Sequence, residues 1–362
     1  MNKTKQTKNL SVIWAIAVKD MVDAIKNRTT ISIIVGMFMV MLTSQAMPFL
    51  LKLSDVSRVL VYDPGDSRLV AELADSEAYS PIPVDSRQEL DDYLVSMNAE
   101  MLGLVVPADF DRRLDSGGEP ELEGYVVWSA RSAAADLASE TEAHLEELLG
   151  RPVSVRTNGN IVYPPAAGSG QLGMVATALI IVLASIGGFI VPHLMFEEKQ
   201  THTMEVLLVS PASISQIVTG KALAGLFYCL TAAAVALAFN AAVIVHWGVA
   251  ILGTLAGAFL VIAIGLVLGS LFENAQQMSL WAALPIVGLL LPVILETMAI
   301  KLPPWLEAAI PALPTVALAK IYLLSFSGGP TLLGALPDLA IIVGWTLPIF
   351  AVVVWIVRRL DR

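Results

Sequence analysis

Six apolar stretches punctuate the chain, near residues 31–51, 172–195, 216–245, 249–271, 278–298 and 336–357. Each is long enough to cross a bilayer as a helix, which takes about 20 residues. Within lipid a helix satisfies its own backbone groups, so such runs are read as helices. The pattern predicts a polytopic α-helical membrane protein with six transmembrane helices. Residues 10–27 carry a different signal. Leu10, Ile13, Trp14, Ala17, Val18, Met21 and Ile25 recur at helical spacing, with Lys19, Asp20, Asp23 and Lys26 mostly off that stripe. A short amphipathic helix with Trp on its apolar side, just before a span, is expected to lie in the membrane interface. A simple extension of the first span is the alternative.

Between the first two apolar runs the pattern changes to short pieces. Residues 58–62, 101–106 and 123–128 read as strands, and 67–74, 87–97, 108–114 and 133–149 as helices. Asp63-Pro64-Gly65-Asp66 and Asp115-Ser116-Gly117-Gly118 are turn signals. Strands alternating with helices predict a small α/β domain over 54–170, large enough to bury its own core. Residues 162–170, rich in Pro, Gly and Ala, read as the linker back to the membrane.

Composition sharpens this division. The chain has 362 residues, is 56% hydrophobic and only 15% charged, and has mean hydropathy +0.71, far from the roughly 25% charged of soluble domains. Residues 54–170 hold 22 acidic side chains against 8 arginines, a formal charge of −14, whereas the whole chain carries −10. The acidity thus belongs to the α/β domain, as a solvated surface or as an attractor of cations. Cys229, the one cysteine, lies in an apolar run, so the domain must hold together through its core. The first apolar run exceeds the 7–15 residues of a signal h-region and reads as a retained anchor. Lys3, Lys5, Lys8, Lys19, Lys26 and Arg28 precede it, and Arg358, Arg359 and Arg362 follow the last run. Short-loop Lys and Arg mark the cytoplasmic side. Both termini are therefore expected inside a multi-pass plasma or inner membrane protein, with 54–170 outside.

One polar interruption stands out. Phe196-Glu197-Glu198-Lys199-Gln200-Thr201-His202-Thr203-Met204-Glu205-Val206-Leu207-Leu208-Val209-Ser210-Pro211 lies between the second and third runs and continues to Gly220-Lys221. Paired acids, Thr-x-Glu, two leucines, Ser-Pro and then Gly-Lys resemble the coupling-helix signature of type-2 ABC transporter permeases. Where that family typically has Glu-Lys-Lys or Glu-Arg-Gly, this chain has Gln200-Thr201-His202. The resemblance extends to the architecture: elbow helix, one span, large outer domain, five spans. Within the family, a large domain between spans one and two points to the sodium-efflux and drug- or antibiotic-efflux branch.

The resemblance implies a permease subunit of an exporter, paired with a second copy or a related permease and with two ABC ATPase subunits. It places ATPase coupling at Glu197, Glu198, Thr203, Glu205, Leu207, Leu208, Pro211, Gly220 and Lys221. The expected divisions are an elbow helix at 1–29, the first span at 30–53, the extracytoplasmic domain at 54–170, and the remaining spans at 171–362. Within the last lie a coupling helix near 197–210 and an outer re-entrant or interfacial segment near 300–330. A mechanotransmitting subunit that acts on extracytoplasmic partners without moving a substrate is the alternative.

The chain's own chemistry fits a partner-driven role. Gly220-Lys221 is followed by Ala222, and Ser215 stands where a Walker A loop begins with Gly. Energy is therefore expected from ATP and Mg on a separate ATPase, with no cofactor on this chain. No catalytic residue is expected, since a Gly-x-Ser-x-Gly elbow is missing. No metal site is expected either: His193 and Glu197, four apart, lack the rest of a zinc motif. Polar groups inside spans are costly and often functional. Gln45, Asn240, Gln277 and Glu296 are candidates for a translocation route, or for plain interhelical hydrogen bonds. Nothing in the sequence suggests a nucleic-acid partner.

Overall fold

The computed structural model describes residues 2–26, parts of 31–43, 57–76, 79–166, 171–200, 214–272, 283–297, 302–329 and 332–360. A long helix, α1 (Asn2–Lys26), leads the chain. An α/β unit follows: β1 (Ser57–Tyr62), α2 (Arg68–Asp75), β2 (Tyr79–Pro83), α3 (Arg87–Met97), β3 (Leu102–Val105), α4 (Phe110–Asp115), β4 (Glu121–Val127), α5 (Ala134–Leu149), β5 (Ser154–Arg156) and β6 (Ile161–Val162).

The sheet runs β2-β1-β3-β4-β5, and β6 also pairs with β4. β1 is parallel to β2 and β3, while β4 is antiparallel to β3 and parallel to β5. Alternation along β1 sends side chains to both faces. Val59 and Val61 join Leu69, Leu73, Phe110 and Leu145 on one side, and Leu60 joins Leu90 and Leu94 on the other. Helices thus cover both faces, as parallel pairing requires. α3 starts with a reciprocal cap: Ser86 Oγ accepts from the Glu89 amide, and Glu89 Oε2 accepts from the Asp85 amide. It ends at Asn98, whose φ of 44° closes the helix in the left-handed region. The apolar pattern does not announce β2. Its Pro81 and Pro83 lack an N–H, which the sheet tolerates because β2 is an edge strand.

The second half is helical. α6 (Gln171–Ser185) passes through a π turn (Ile186–Ile190) into α7 (Val191–Gln200). Then come α8 (Ile214–Phe239), α9 (Trp247–Leu271), α10 (Ala283–Thr297), α11 (Pro304–Ala309), α12 (Pro314–Phe326) and α13 (Leu332–Leu360). Among the described residues, four stretches are long and apolar enough to cross a membrane: Gln171–Met195, Gln216–Phe239, Trp247–Leu271 and Leu332–Ile356. The first expected span lies largely outside the described residues, and the fifth is represented by the shorter Ile286–Glu296. The third run ends as a helix at Phe239, before a turn over 240–243.

Two details set the packing. Pro192 cannot donate to the carbonyl four residues back, and its ring crowds that turn. The preceding π turn, closed by Val191 N–H donating to Ile186 O, widens the helix there so that it continues through Pro192. α9 is the central helix. A Cβ on Gly265 or Gly187 would strike the other helix's backbone or Val191 and Val261, and one on Gly253 or Gly257 would strike Ile321 or Leu318 of α12. The glycines four apart therefore bring α9 against α6–α7 on one stretch and against α12 on the next. α11, with the 3₁₀ turn that follows it, and α12 form a pair bent by 72°. α12 is buried almost throughout, with Val316, Ile321, Tyr322 and Phe326 fully enclosed, and Tyr322 Oη lies 3.0 Å from Thr254 Oγ1 of α9.

The α/β unit is seated on the helices by a compact joint. Trp128 Nε1 donates to Ile244 O, and Arg131 Nη1 donates to Ala242 O and Trp128 O. The Arg131 guanidinium lies over the Trp128 ring, which stacks on Tyr163 with centroids 5.2 Å apart. Gly328 N–H donates to Pro164 O, while Ser325 O accepts from the Val245 and His246 amides. The same cluster thus binds the domain, the α8–α9 turn and the end of α12 together.

Candidate coupling site

The run at 196–211, expected from its sequence to be the coupling element, is framed by two described helices. α7 carries the chain into it as far as Gln200, and α8 carries it out from Ile214. Glu197 and Glu198 belong to the last turn of α7 by backbone; their side chains, and all of Thr203, Glu205, Leu207, Leu208 and Pro211, lie outside the described residues. Gly220 and Lys221 lie in the second turn of α8, and both are turned into the protein.

Gly220 meets α1. A Cβ there would come within 2.9 Å of Ile16 Cβ and 3.2 Å of Ile13 O, so glycine is what lets α1 close onto α8. Lys221, one residue on, is 1% exposed. Its ammonium lies 3.2 Å from Asp20 Oδ2, and Asp20 itself is only 5% exposed. Lys221 Nζ also donates to Leu194 O of α7. About two turns further along α8, Tyr228 Oη donates to Met21 O of α1. An unpaired charge cannot persist in such surroundings, whereas a paired and hydrogen-bonded one can. The lysine therefore joins three helices: α1 through Asp20, α7 through Leu194, and its own α8.

This arrangement revises the view of α1 from its pattern. Ile13, Ile16, Ala17, Asp20 and Met21 form the face against α8, and Ala17 is fully buried. Asp20, expected off the apolar stripe, lies on the buried face because Lys221 receives it. Trp14, Val18 and Val22 point outward, Trp14 being 61% exposed. Asp20 and Tyr228 were beyond local pattern reading. The one available signal was a Lys inside an apolar run.

The candidate pathway residues are dispersed. Gln45 and Gln277 lie outside the described residues. Asn240 is buried at the end of α8, where its Nδ2 donates to Ala236 O of the same helix. Glu296, at the end of α10, is partly exposed and lies 3.8 Å from Lys320 Nζ of α12. Asp338 of α13 stands within electrostatic reach of the same lysine. Neither Lys320 nor Asp338 was singled out by sequence, since each is a lone charge in its own segment.

The family model of the ABC-2 family transporter protein matches residues 28–359. No curated protein and no solved structure matches the chain. The match covers most of the chain, including the α/β unit, the run at 196–221 and every apolar helix. A polytopic helical membrane protein acting as the membrane component of an ABC transporter, with the ATPase on other subunits, is what this membership means. The chain belongs to the ABC-2 family of transporter proteins.

Proposed function

We propose that this chain is the permease subunit of an ATP-driven exporter, with six spans, both termini inside and the α/β domain outside. ATP bound with Mg on the partner ATPase supplies the energy. The run from Phe196 to Pro211 receives the motion, with Glu197, Glu198, Thr203 and Glu205 offering charge and hydrogen bonds and Leu207 and Leu208 offering apolar contact. The observation that carries this reading is the Lys221 junction. It ties both helices that frame the run, α7 and α8, to α1. A displacement of the run would then move three helices as one body rather than bend a loose loop. Gly220 and Lys221 act in this reading as the root of the coupling element and not as its contact surface. Reconstitution with the cognate ATPase tests it: hydrolysis should rise when cargo is added, and cargo should accumulate on the side of the α/β domain.

A second reading, a subunit that passes motion to extracytoplasmic partners without moving cargo, is favoured by the joint at Trp128, Arg131 and Tyr163. That joint links the α/β domain to the α8–α9 turn and to α12. ATP-dependent change in the domain's accessibility without cargo movement would select this reading.

A further inference from the structure

The turn between β5 and β6 holds the chain's one Asn-Gly pair, Asn158-Gly159. Asn160 N–H donates to Thr157 O at 3.1 Å, which closes a β-turn with Asn158 and Gly159 at its centre. Gly159 has a φ of 83°, a left-handed conformation that glycine adopts without strain. Both residues are exposed, and a Cβ on Gly159 would meet nothing within 4 Å. The main chain around them is held: Asn160 O accepts from the Val126 amide, and Gly159 O from the Ile161 amide. Among the described residues, no partner holds the Asn158 side chain or the Gly159 N–H. The other asparagines with described side chains differ on both counts. Asn98 precedes Ala99, and its Oδ1 accepts from Ser129 Oγ at 2.8 Å. Asn160 precedes Ile161, and its Nδ2 donates to Arg156 O at 3.3 Å. Asn240 precedes Ala241, and its Nδ2 donates to Ala236 O at 2.9 Å. Each of these has its side-chain amide tethered and is followed by a residue whose Cβ crowds the next main-chain nitrogen.

We propose that Asn158 is a site of spontaneous covalent modification, converted through a succinimide to aspartate and isoaspartate. The Gly159 nitrogen gives up its proton to hydroxide and attacks Asn158 Cγ. A C–N bond forms, the Cγ–Nδ2 bond breaks, and Nδ2 leaves as ammonia. Water then opens the ring. Attack at Cγ restores the ordinary main chain and leaves aspartate. Attack at the Asn158 main-chain carbonyl leaves Gly159 linked through Cγ, which is isoaspartate. No electrons change hands, and water is the only co-reactant. Ring closure needs an untethered side-chain amide beside a nitrogen with no side chain in its way, and an exposed turn gives water and hydroxide access to both. Either product adds a negative charge to an already acidic domain. Isoaspartate also lengthens the main chain between β5 and β6, which both pair with β4. β6 leads directly to Tyr163, whose ring stacks on Trp128 in the joint with the helices. The inference does not rest on the export reading, because the chemistry is local to the turn.

The test is peptide mass spectrometry of the full-length protein in lipid nanodiscs, held for days in mildly alkaline buffer. A sample digested at the start corrects for conversion during digestion, and electron-transfer fragmentation separates aspartate from isoaspartate. Conversion at Asn158 should run at least about tenfold faster than at Asn98 or Asn160, equivalent to about 1.4 kcal/mol in the barrier. Both products should appear, and the rate should rise with pH, because the attacking nitrogen must lose its proton. Asn158→Gln, whose longer side chain has to close a larger ring, should slow conversion at that position by a similar factor. Conversion no faster at Asn158 than at Asn98 and Asn160 would overturn the proposal. So would aspartate without isoaspartate, since direct hydrolysis of the side-chain amide gives aspartate alone. Undiminished conversion in Asn158→Gln would overturn it as well.

Discussion

Lys221 and Asp20 form a buried ion pair across 201 residues of sequence, Nζ to Oδ2 at 3.2 Å, two turns into the helix that follows the run at 196–211. Removing one partner strands the other charge, which costs about 3–5 kcal/mol, whereas replacing both with apolar groups is often neutral. Lys221→Met and Asp20→Leu should therefore each lower the melting temperature in detergent, and the double variant should recover most of the loss. Additive losses in the double variant would mean that the two side chains act independently.

Gly265 and Gly187 bring α9 and α6–α7 to backbone contact. Gly265→Ala should destabilise by about 1–3 kcal/mol, because overpacking forces helices apart. Gly288→Ala, where a Cβ meets nothing within 4 Å, should be neutral or slightly stabilising through helix propensity. Thermal unfolding of the two variants side by side checks the contrast.

The joint at Trp128 should control how firmly the α/β domain is held. Trp128→Ala removes the hydrogen bond to Ile244 O, the stack on Tyr163 and the surface under Arg131 together. Faster hydrogen exchange over 242–246 and 325–329 is expected, with exchange in the β1–β3 core unchanged. Exchange that stays slow in the joint would place the seat elsewhere.

The α/β domain has its own two-sided core and no cysteine. A fragment of residues 54–166 should unfold cooperatively under non-reducing and reducing conditions alike. Burial pushes the Tyr79 hydroxyl up from its ordinary 10.0, and burial with a hydrogen bond to Glu123 does the same for Tyr125. A raised folded-state value means stability fully present below the unfolded value and lost as pH rises through the folded one. The fragment should therefore lose stability above about pH 10, and Tyr79→Phe should blunt that loss. An alkaline profile identical in Tyr79→Phe would contradict the assignment.

Much of the helical layout was legible because a run of apolar residues long enough to span is nearly unambiguous; α6–α7, α9 and α13 follow it closely. α12 was harder. Hydropathy registers an apolar segment between prolines but not that Tyr322 and Phe326 are enclosed by protein instead of lipid. β2 was hidden by Pro81 and Pro83, acceptable only because no strand pairs beyond it. The principal strands of the α/β domain were legible through β-branched runs, although β5 and β6, at three and two residues, are too short to show a period. In the candidate site, Gly220-Lys221 was legible as a motif, and its burial against Ile16 and Asp20 was not. Pairing across 201 residues leaves no local trace, so a buried charge and a solvated one look alike along the chain.

The central claim is that the run at 196–211 couples this chain to an ATPase. The direct measurement is co-purification and cargo-stimulated ATP hydrolysis of the reconstituted complex carrying Glu205→Ala, Leu207→Ala and Leu208→Ala together. Loss of an interfacial charged hydrogen bond alone costs roughly 2–5 kcal/mol. The variant should insert normally yet bind its ATPase tens-fold or more weakly, with cargo no longer stimulating hydrolysis. A triple variant that retains its ATPase and transports at the wild-type rate would contradict the account.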